Sequence, residues 1–179
     1  MSPSRLISCL VFACACACAC ACACAGPGAV VAPRSSASPL LGGNLPELRR
    51  RTLAGAAFSS EAQRGRLVVV KFFAKYCVPC QRTLPEAERL ARRFTDVAVV
   101  GISEDEDAAL ALDQVARYGL SFPVILDSGN VLAGRFRVTE MPVSFLADRD
   151  GRIVWVGGPE QGEDALENAV AAARQERSP

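Results

Sequence analysis

No histidine occurs anywhere in the 179-residue chain. That absence removes a Ser-His-Asp triad, a Cys-His nucleophile pair and any histidine-ligated metal or haem. Neither sign of charge is in excess: there are 20 basic and 19 acidic side chains, for a net charge of +1. Nothing in that balance calls for nucleic acid or an anionic membrane surface as a partner. Internal repeats are missing as well. Apolar residues are plentiful, at 50% of the chain against 22% charged. This is enough for one globular domain plus an appendage. Nine cysteines are present, and their distribution decides how they read. Seven lie between Cys9 and Cys24, and only Cys77 and Cys80 follow.

The first segment has the organisation of an export signal. Arg5 supplies a positive start, Leu6 to Ala25 carries no charge, and Ala23-Cys24-Ala25 before Gly26 is an A-x-A-like cleavage site. Residues 1–25 therefore read as a secretory signal peptide. Alternating cysteines could instead hold Zn or Cu(I). Free cysteine, however, packs as a small hydrophobe, and this run sits where an apolar h-region belongs. Two further readings stay open. Val11-Phe12-Ala13-Cys14 loosely resembles a lipid-attachment box, and the apolar stretch is about long enough for an uncleaved membrane anchor. Residues 26–39, rich in Gly, Pro, Ser and Ala, read as a flexible linker. A single domain is expected over 40–179.

Within that domain a small hairpin is expected around Thr52–Gly55, then a brief helix near Ser59–Gln63. Leu67 to Phe73 is a near-continuous apolar run, the mark of a strand covered on both faces. Leu84, Ala87, Leu90, Ala91 and Phe94 recur with helical spacing, giving a helix over about 78–94. Val97 to Ile102 is a second buried strand. Ser103 with Glu106 reads as a capping box for a helix that Gly119 would close. Phe122 to Leu126 reads as a strand, followed by a turn at Asp127–Asn130 and a short helix over Val131–Arg135. Strands over 143–147 and 153–157 are joined by the tight turn Asp148-Arg149-Asp150-Gly151. A last helix spans about 162–174. The order βαβαβ, β-hairpin, α implies an α/β domain with a mixed sheet.

Cys77-Val78-Pro79-Cys80 falls where the first buried strand ends and the helix begins. A helix N-terminus has unpaired N–H groups and positive partial charge, which stabilise a thiolate. Cys77 comes first and is expected to be the exposed nucleophile. Cys80 lies one turn further in, within reach of a mixed disulfide. Pro79 sits early in the helix, where a missing N–H is tolerated. A structural disulfide here would close too short a loop to constrain much chain entropy. A zinc site needs two more ligands, and residues 26–179 hold neither a further Cys nor a His to supply them.

At these residues the chain resembles the thioredoxin superfamily. Phe72-Phe73-Ala74-Lys75-Tyr76-Cys77-Val78-Pro79-Cys80 looks like its active-site signature, and Pro85 matches the proline of its first active-site helix. The segment Arg135 to Leu146, containing Met141-Pro142, resembles the one that carries the family's cis-proline. The hairpin upstream of the central strand and the insertion Ser103–Leu126 are more like the TlpA/ResA branch, exported thiol-disulfide oxidoreductases related to AhpC/TSA-type redoxins. The resemblance covers about 40–175. It implies a thioredoxin-like α/β fold, a central mixed sheet flanked by helices, with an N-terminal hairpin and a central insertion. It also implies that Cys77 attacks and Cys80 resolves, and that Pro142 is cis beside them while the Met141 backbone pairs with substrate. Tyr76, Val78 and Pro79 would shape the site. No cofactor beyond the Cys77–Cys80 disulfide is implied. The implied partners are disulfide-containing or thiol proteins and a membrane-embedded electron donor.

Three positions depart from that pattern. Tyr76 replaces the usual Trp before the first Cys. Lys71 stands where relatives carry a buried Asp or an Asn. It could be buried and favour a Cys80 thiolate, or it could snorkel out of the strand end. Thr83 replaces a Glu three residues after the second Cys. Glu86 and Glu88, on the same helix, read as solvated surface charges. Among functions, a cell-envelope enzyme that reduces disulfides leads. A redoxin-type thiol peroxidase and a non-catalytic thioredoxin-fold binding module are the alternatives.

Overall fold

The computed structural model describes residues 36–162 and 164–176. The signal-peptide reading of 1–25, and most of the linker reading of 26–39, lie outside the described residues. Described elements follow in the order β1 (Arg49–Arg51), β2 (Ala57–Ser59), a 3-10 turn (Glu61–Gln63), β3 (Leu67–Phe73), α1 (Val78–Arg93), β4 (Val97–Ser103), α2 (Ala108–Tyr118), β5 (Val124–Leu126), α3 (Val131–Arg135), β6 (Val143–Ala147), β7 (Ile153–Gly157) and α4 (Ala165–Gln175).

β1 and β2 form the expected hairpin. The other five strands make one mixed sheet in the order β5-β4-β3-β6-β7. β3 is central, parallel to β4 and antiparallel to β6. Every residue of β3 and of β4 is buried, as expected of strands covered on both faces. Alternation along β3 divides the core. Leu67, Val69 and Phe73 pack with Leu84, Ala87 and Leu90 of α1 and with Leu166 and Val170 of α4. Val68, Val70 and Phe72 pack on the other face with Leu132 and Phe136 around α3, and with Leu48 and Phe58 from the hairpin.

The chain enters along the outer edge of the sheet. Ser36 N–H donates to the Val156 carbonyl at 2.6 Å, Gly42 N–H to that of Ile153 at 2.8 Å, and Ile153 N–H returns a bond to Gly43. These bonds cover part of the free edge of β7, which would otherwise be open to pairing with another chain.

Two local readings are corrected. Ser103 does not cap α2. It closes β4, where its carbonyl accepts from Asp127 N–H and its hydroxyl donates to Asp105 Oδ2 at 2.8 Å. The cap is Asp107, whose carboxylate accepts from Ala109 N–H at 2.8 Å. The sheet uses Ser103 first, so the helix must start further along. β5 is also shorter than expected and begins after Pro123, which has no N–H to give a ladder.

Gly101 in β4 has no room for a side chain. A Cβ there would sit 2.9 Å from the Phe73 ring and 3.0 Å from that of Phe122. Gly101→Val is expected to destabilise the domain by roughly 1–3 kcal/mol through overpacking. A urea melt checks this: the midpoint should fall while the slope stays unchanged.

Candidate active site

β3 delivers the chain to the carboxyl edge of the sheet, and Ala74–Tyr76 turn it into α1. The turn is pinned at Lys75, whose N–H donates to Asp105 Oδ1 at 2.9 Å, and at Cys77, whose N–H reaches the Ala74 carbonyl. Cys77 is the N-cap of α1. Its Sγ accepts from Cys80 N–H at 3.2 Å, an orphan donor of the first turn. Cys77 and Cys80 are joined in a disulfide with a Cα separation of 5.3 Å. Cys77 keeps 7% of its surface exposed and Cys80 none. Cys77 is thus mostly covered, less exposed than expected from the sequence, but it alone of the two lines the groove described below. Tyr76 and Val78 flank the pair with 70% and 69% exposure, an apolar rim that needs no rearrangement to be touched.

The opposite wall comes from the start of β6. The Met141–Pro142 bond is cis. Val143 pairs with Phe72, so continuing that register puts Pro142 beside Phe73, the last residue of β3, and Met141 just past it. A groove of about 500 Å³ runs between the walls, lined by Tyr76, Cys77, Val78, Pro79 and Glu104 on one side and by Val138, Thr139, Glu140 and Met141 on the other. The structure thus unites the expected site residues Tyr76, Cys77, Val78, Pro79 and Met141 in one groove. Cys80 lies behind it, and Pro142 lines a smaller cavity on its far side.

Glu104 was not among the expected site residues. It follows directly on β4, which runs parallel to β3, so it reaches the same sheet edge as Cys77. That position was readable, since ligands of parallel sheets gather at carboxyl strand ends. Glu104 Oε1 is buried without a hydrogen-bond partner among the described residues. Burial pushes its carboxyl above the usual range, and the nearby Asp127 charge pushes it further. The Tyr76 hydroxyl is also raised, by desolvation first and then by Glu104 and Asp105.

Lys71 is buried, with only 2% of its surface exposed. Of the two placements open to it, the structure selects the core. Its Nζ donates to Ser144 Oγ at 3.2 Å, directly across the β3–β6 register. Burial lowers its pKa to about 8, and the Glu86 carboxylate acts in the opposite sense. The surface assignment of Glu86 and Glu88 is overturned, since both are 7% exposed. Glu86 Oε1 accepts from Leu166 N–H at 3.1 Å, in the first turn of α4. Glu88 Oε2 accepts from Ser121 N–H at 2.7 Å, and Glu88 also pairs with Arg92. Each carboxylate satisfies a backbone donor of a distant segment, which is why neither is left to water. Thr83 donates its hydroxyl to the Cys80 carbonyl at 3.2 Å.

Residues 41–156 match the model of the AhpC/TSA family. The chain belongs to that family. It is 30% identical over 129 residues to the thiol-disulfide oxidoreductase ResA of Bacillus thuringiensis, covering 71% of this chain and 75% of that one. Against ResA of Halalkalibacterium halodurans it is 27% identical over 126 residues, covering 69% and 72%. Among solved structures, a DsbE-type thiol:disulfide interchange protein from Chlorobium tepidum superposes with a TM-score of 0.69 at 24% identity, covering 74% of this chain and 96% of that one. The fold is the thioredoxin-like fold expected from the motifs, and the enzyme class is thiol-disulfide oxidoreductase. Among the described residues no helix is long and apolar enough to cross a membrane.

Proposed function

We propose that the protein is an exported enzyme that reduces disulfides in envelope proteins through the Cys77–Cys80 pair. The observation that carries this reading is the asymmetry of the pair. Cys77 opens on an apolar-rimmed groove at a helix N-terminus, and Cys80 is enclosed beneath it. Reduced Cys77, as thiolate, attacks a substrate disulfide and forms a mixed disulfide, releasing one substrate sulfur. Cys80 then attacks the Cys77 sulfur, frees the second substrate sulfur and closes the disulfide seen here. Tyr76, Val78 and Pro79 shape the approach. The backbone of Met141 beside Pro142 offers an edge for an extended substrate segment. The dithiol itself carries the electrons and needs no further cofactor. A membrane-embedded donor would recharge it. Export is supported by the charge pattern and cleavage site of residues 1–25, and by the AhpC/TSA and ResA kinship at the level of family.

The reducing direction is tested by equilibrating the protein with dithiol buffers and reading the Cys77–Cys80 couple peptide by peptide. A potential near about −270 mV, as for thioredoxin, is expected. A value near about −120 mV, as for a strong oxidant, would overturn the direction. A fast peroxide reaction lost in Cys77→Ser would replace the reading with a peroxidase.

A further inference from the structure

Pro79, Arg82, Thr83, Glu86 and Arg89 fall at i, i+3, i+4, i+7 and i+10, which is one stripe of α1. With Pro142, Pro159 and Gln161 the stripe lines a pocket of about 380 Å³. Pro79 also lines the groove beside Cys77, so pocket and groove adjoin at the proline between the two cysteines. The exchange cycle uses the groove and gives the pocket no role.

The free side-chain donors of the pocket are cationic. Its three prolines have no N–H to offer. The Thr83 hydroxyl donates to the Cys80 carbonyl, and the Gln161 amide donates to Ser36 Oγ. The guanidinium groups of Arg82 and Arg89 remain. α1 carries four arginines. Arg89 is paired with Asp164 at 3.5 Å, Arg92 with Glu88 and Arg93 with Glu167. Arg82 has no ion-pair partner among the described residues. Glu86 is the carboxylate of the lining. It is only 7% exposed, accepts from Leu166 N–H and is attracted by Lys71. Its charge is thus held by interior partners. A guanidinium left free on a pocket wall pairs best with a carboxylate, which accepts two parallel N–H bonds from the planar fork.

The pocket is also within reach of the reacting sulfur. Arg82 stands five residues past Cys77, a rise of about 7.5 Å along the helix. An extended chain covers that length in about two or three residues. We propose that the pocket is a substrate subsite for a carboxylate: an Asp or Glu side chain about two or three residues from the disulfide of a polypeptide substrate, held by Arg82 with Arg89 beyond it. This rests on the disulfide-reducing reading and deepens it. The groove takes the sulfur-bearing segment, and the pocket selects the charge that flanks it. Prolines at 79 and 142 fix the wall between the two, so little of it must be ordered when substrate docks.

The test uses the full-length reduced protein and fluorogenic peptides closed by an internal disulfide. The peptides are identical except for Asp, Asn or Lys two residues outside either cysteine. Single-turnover reduction is followed by stopped flow. The Asp peptides should react about fivefold or more faster than the Lys peptides at low salt, with the gap closing as salt screens the pair. Arg82 is exposed, so its variants should fold. Arg82→Glu should invert the order, and Arg82→Lys, without the planar fork, should keep part of it. Arg50→Glu, on the hairpin, changes net charge equally away from the pocket and should leave the order as it is. Equal rates for all peptides, or an inversion by Arg50→Glu as large as that by Arg82→Glu, would overturn the subsite. Glutathione disulfide carries carboxylates of its own. If it outpaces the Asp peptides and loses that lead in Arg82→Glu, the occupant is a small anionic disulfide and the polypeptide assignment falls. If the wild type reduces none of these substrates, the reducing reading falls. The preference is then read from oxidation of the same peptides, as dithiols, by the Cys77–Cys80 disulfide form, and equal rates there overturn the subsite.

Discussion

Cys80→Ala is expected to convert the protein from a turnover enzyme into a trap. Cys77 still attacks, but nothing within reach can break the mixed disulfide, so covalent complexes accumulate through Cys77. Disulfide reductase turnover should fall by at least about two orders of magnitude, because only slow external thiols remain to resolve the intermediate. The trapped species are counted on non-reducing gels and assigned by peptide mapping to Cys77. Mapping matters because the full chain has seven other cysteines between Cys9 and Cys24. Cys77→Ser should form no such complexes, since the buried Cys80 has no exposed surface with which to meet a substrate. Equal trapping by the two variants would contradict the assigned order of attack.

Phe136→Ala should have the largest effect on stability among single substitutions far from the sulfurs. Phe136 follows α3 and has no exposed surface. Its ring lies 5.2 Å from that of Phe72 and 5.1 Å from that of Phe145. Phe72 and Phe145 are themselves 6.0 Å apart and edge-on, so the three rings form one cluster. Truncation removes a large apolar side chain and leaves a cavity between the end of α3 and the sheet face of β3 and β6, which is expected to cost about 3–5 kcal/mol. For a domain of this size that corresponds to a fall in Tm of roughly 10 °C or more, read by thermal unfolding. β3 leads toward Cys77 and β6 starts directly after Pro142, so the cavity lies under both strands that frame the groove, on the sheet face opposite the sulfurs. A Phe136→Leu variant should recover most of the loss. If Phe136→Ala melted as the wild type does, the cluster would not be holding the end of α3 to the sheet.

The elements most readable from sequence were those whose cause is local. Leu67 to Phe73 is apolar nearly throughout because the strand is covered on both sides, and α1 shows its buried face as a repeat. Cys77 and Cys80 were legible because a strand end and a helix start flank them. What escaped was decided by partners far along the chain. Glu86 is polar on a helix exposed to water over part of its surface, and only its partner, 80 residues away at Leu166, draws it in. Glu88 is drawn in the same way by Ser121, 33 residues away. Ser103 with Glu106 matches a helix cap as well as any local pattern does, but the ladder to β5 competes for Ser103 and wins. Lys71 was poised between core and solvent until the strand opposite supplied Ser144.

The position of β3 in the sheet has a consequence for how the molecule opens. β3 is bonded to β4 from Leu67 to Phe73 and to β6 from Val68 to Phe72. The β1–β2 hairpin has three paired positions and stands outside this sheet. Fluctuations that free the periphery leave a doubly flanked central strand closed, so its amides exchange with solvent only when the whole domain comes apart. A three-residue turn, Ala74–Tyr76, joins that strand to the helix start that bears the sulfurs. The turn that carries them is therefore anchored to the strand expected to open last among the described elements, and melting of the hairpin leaves that anchor in place.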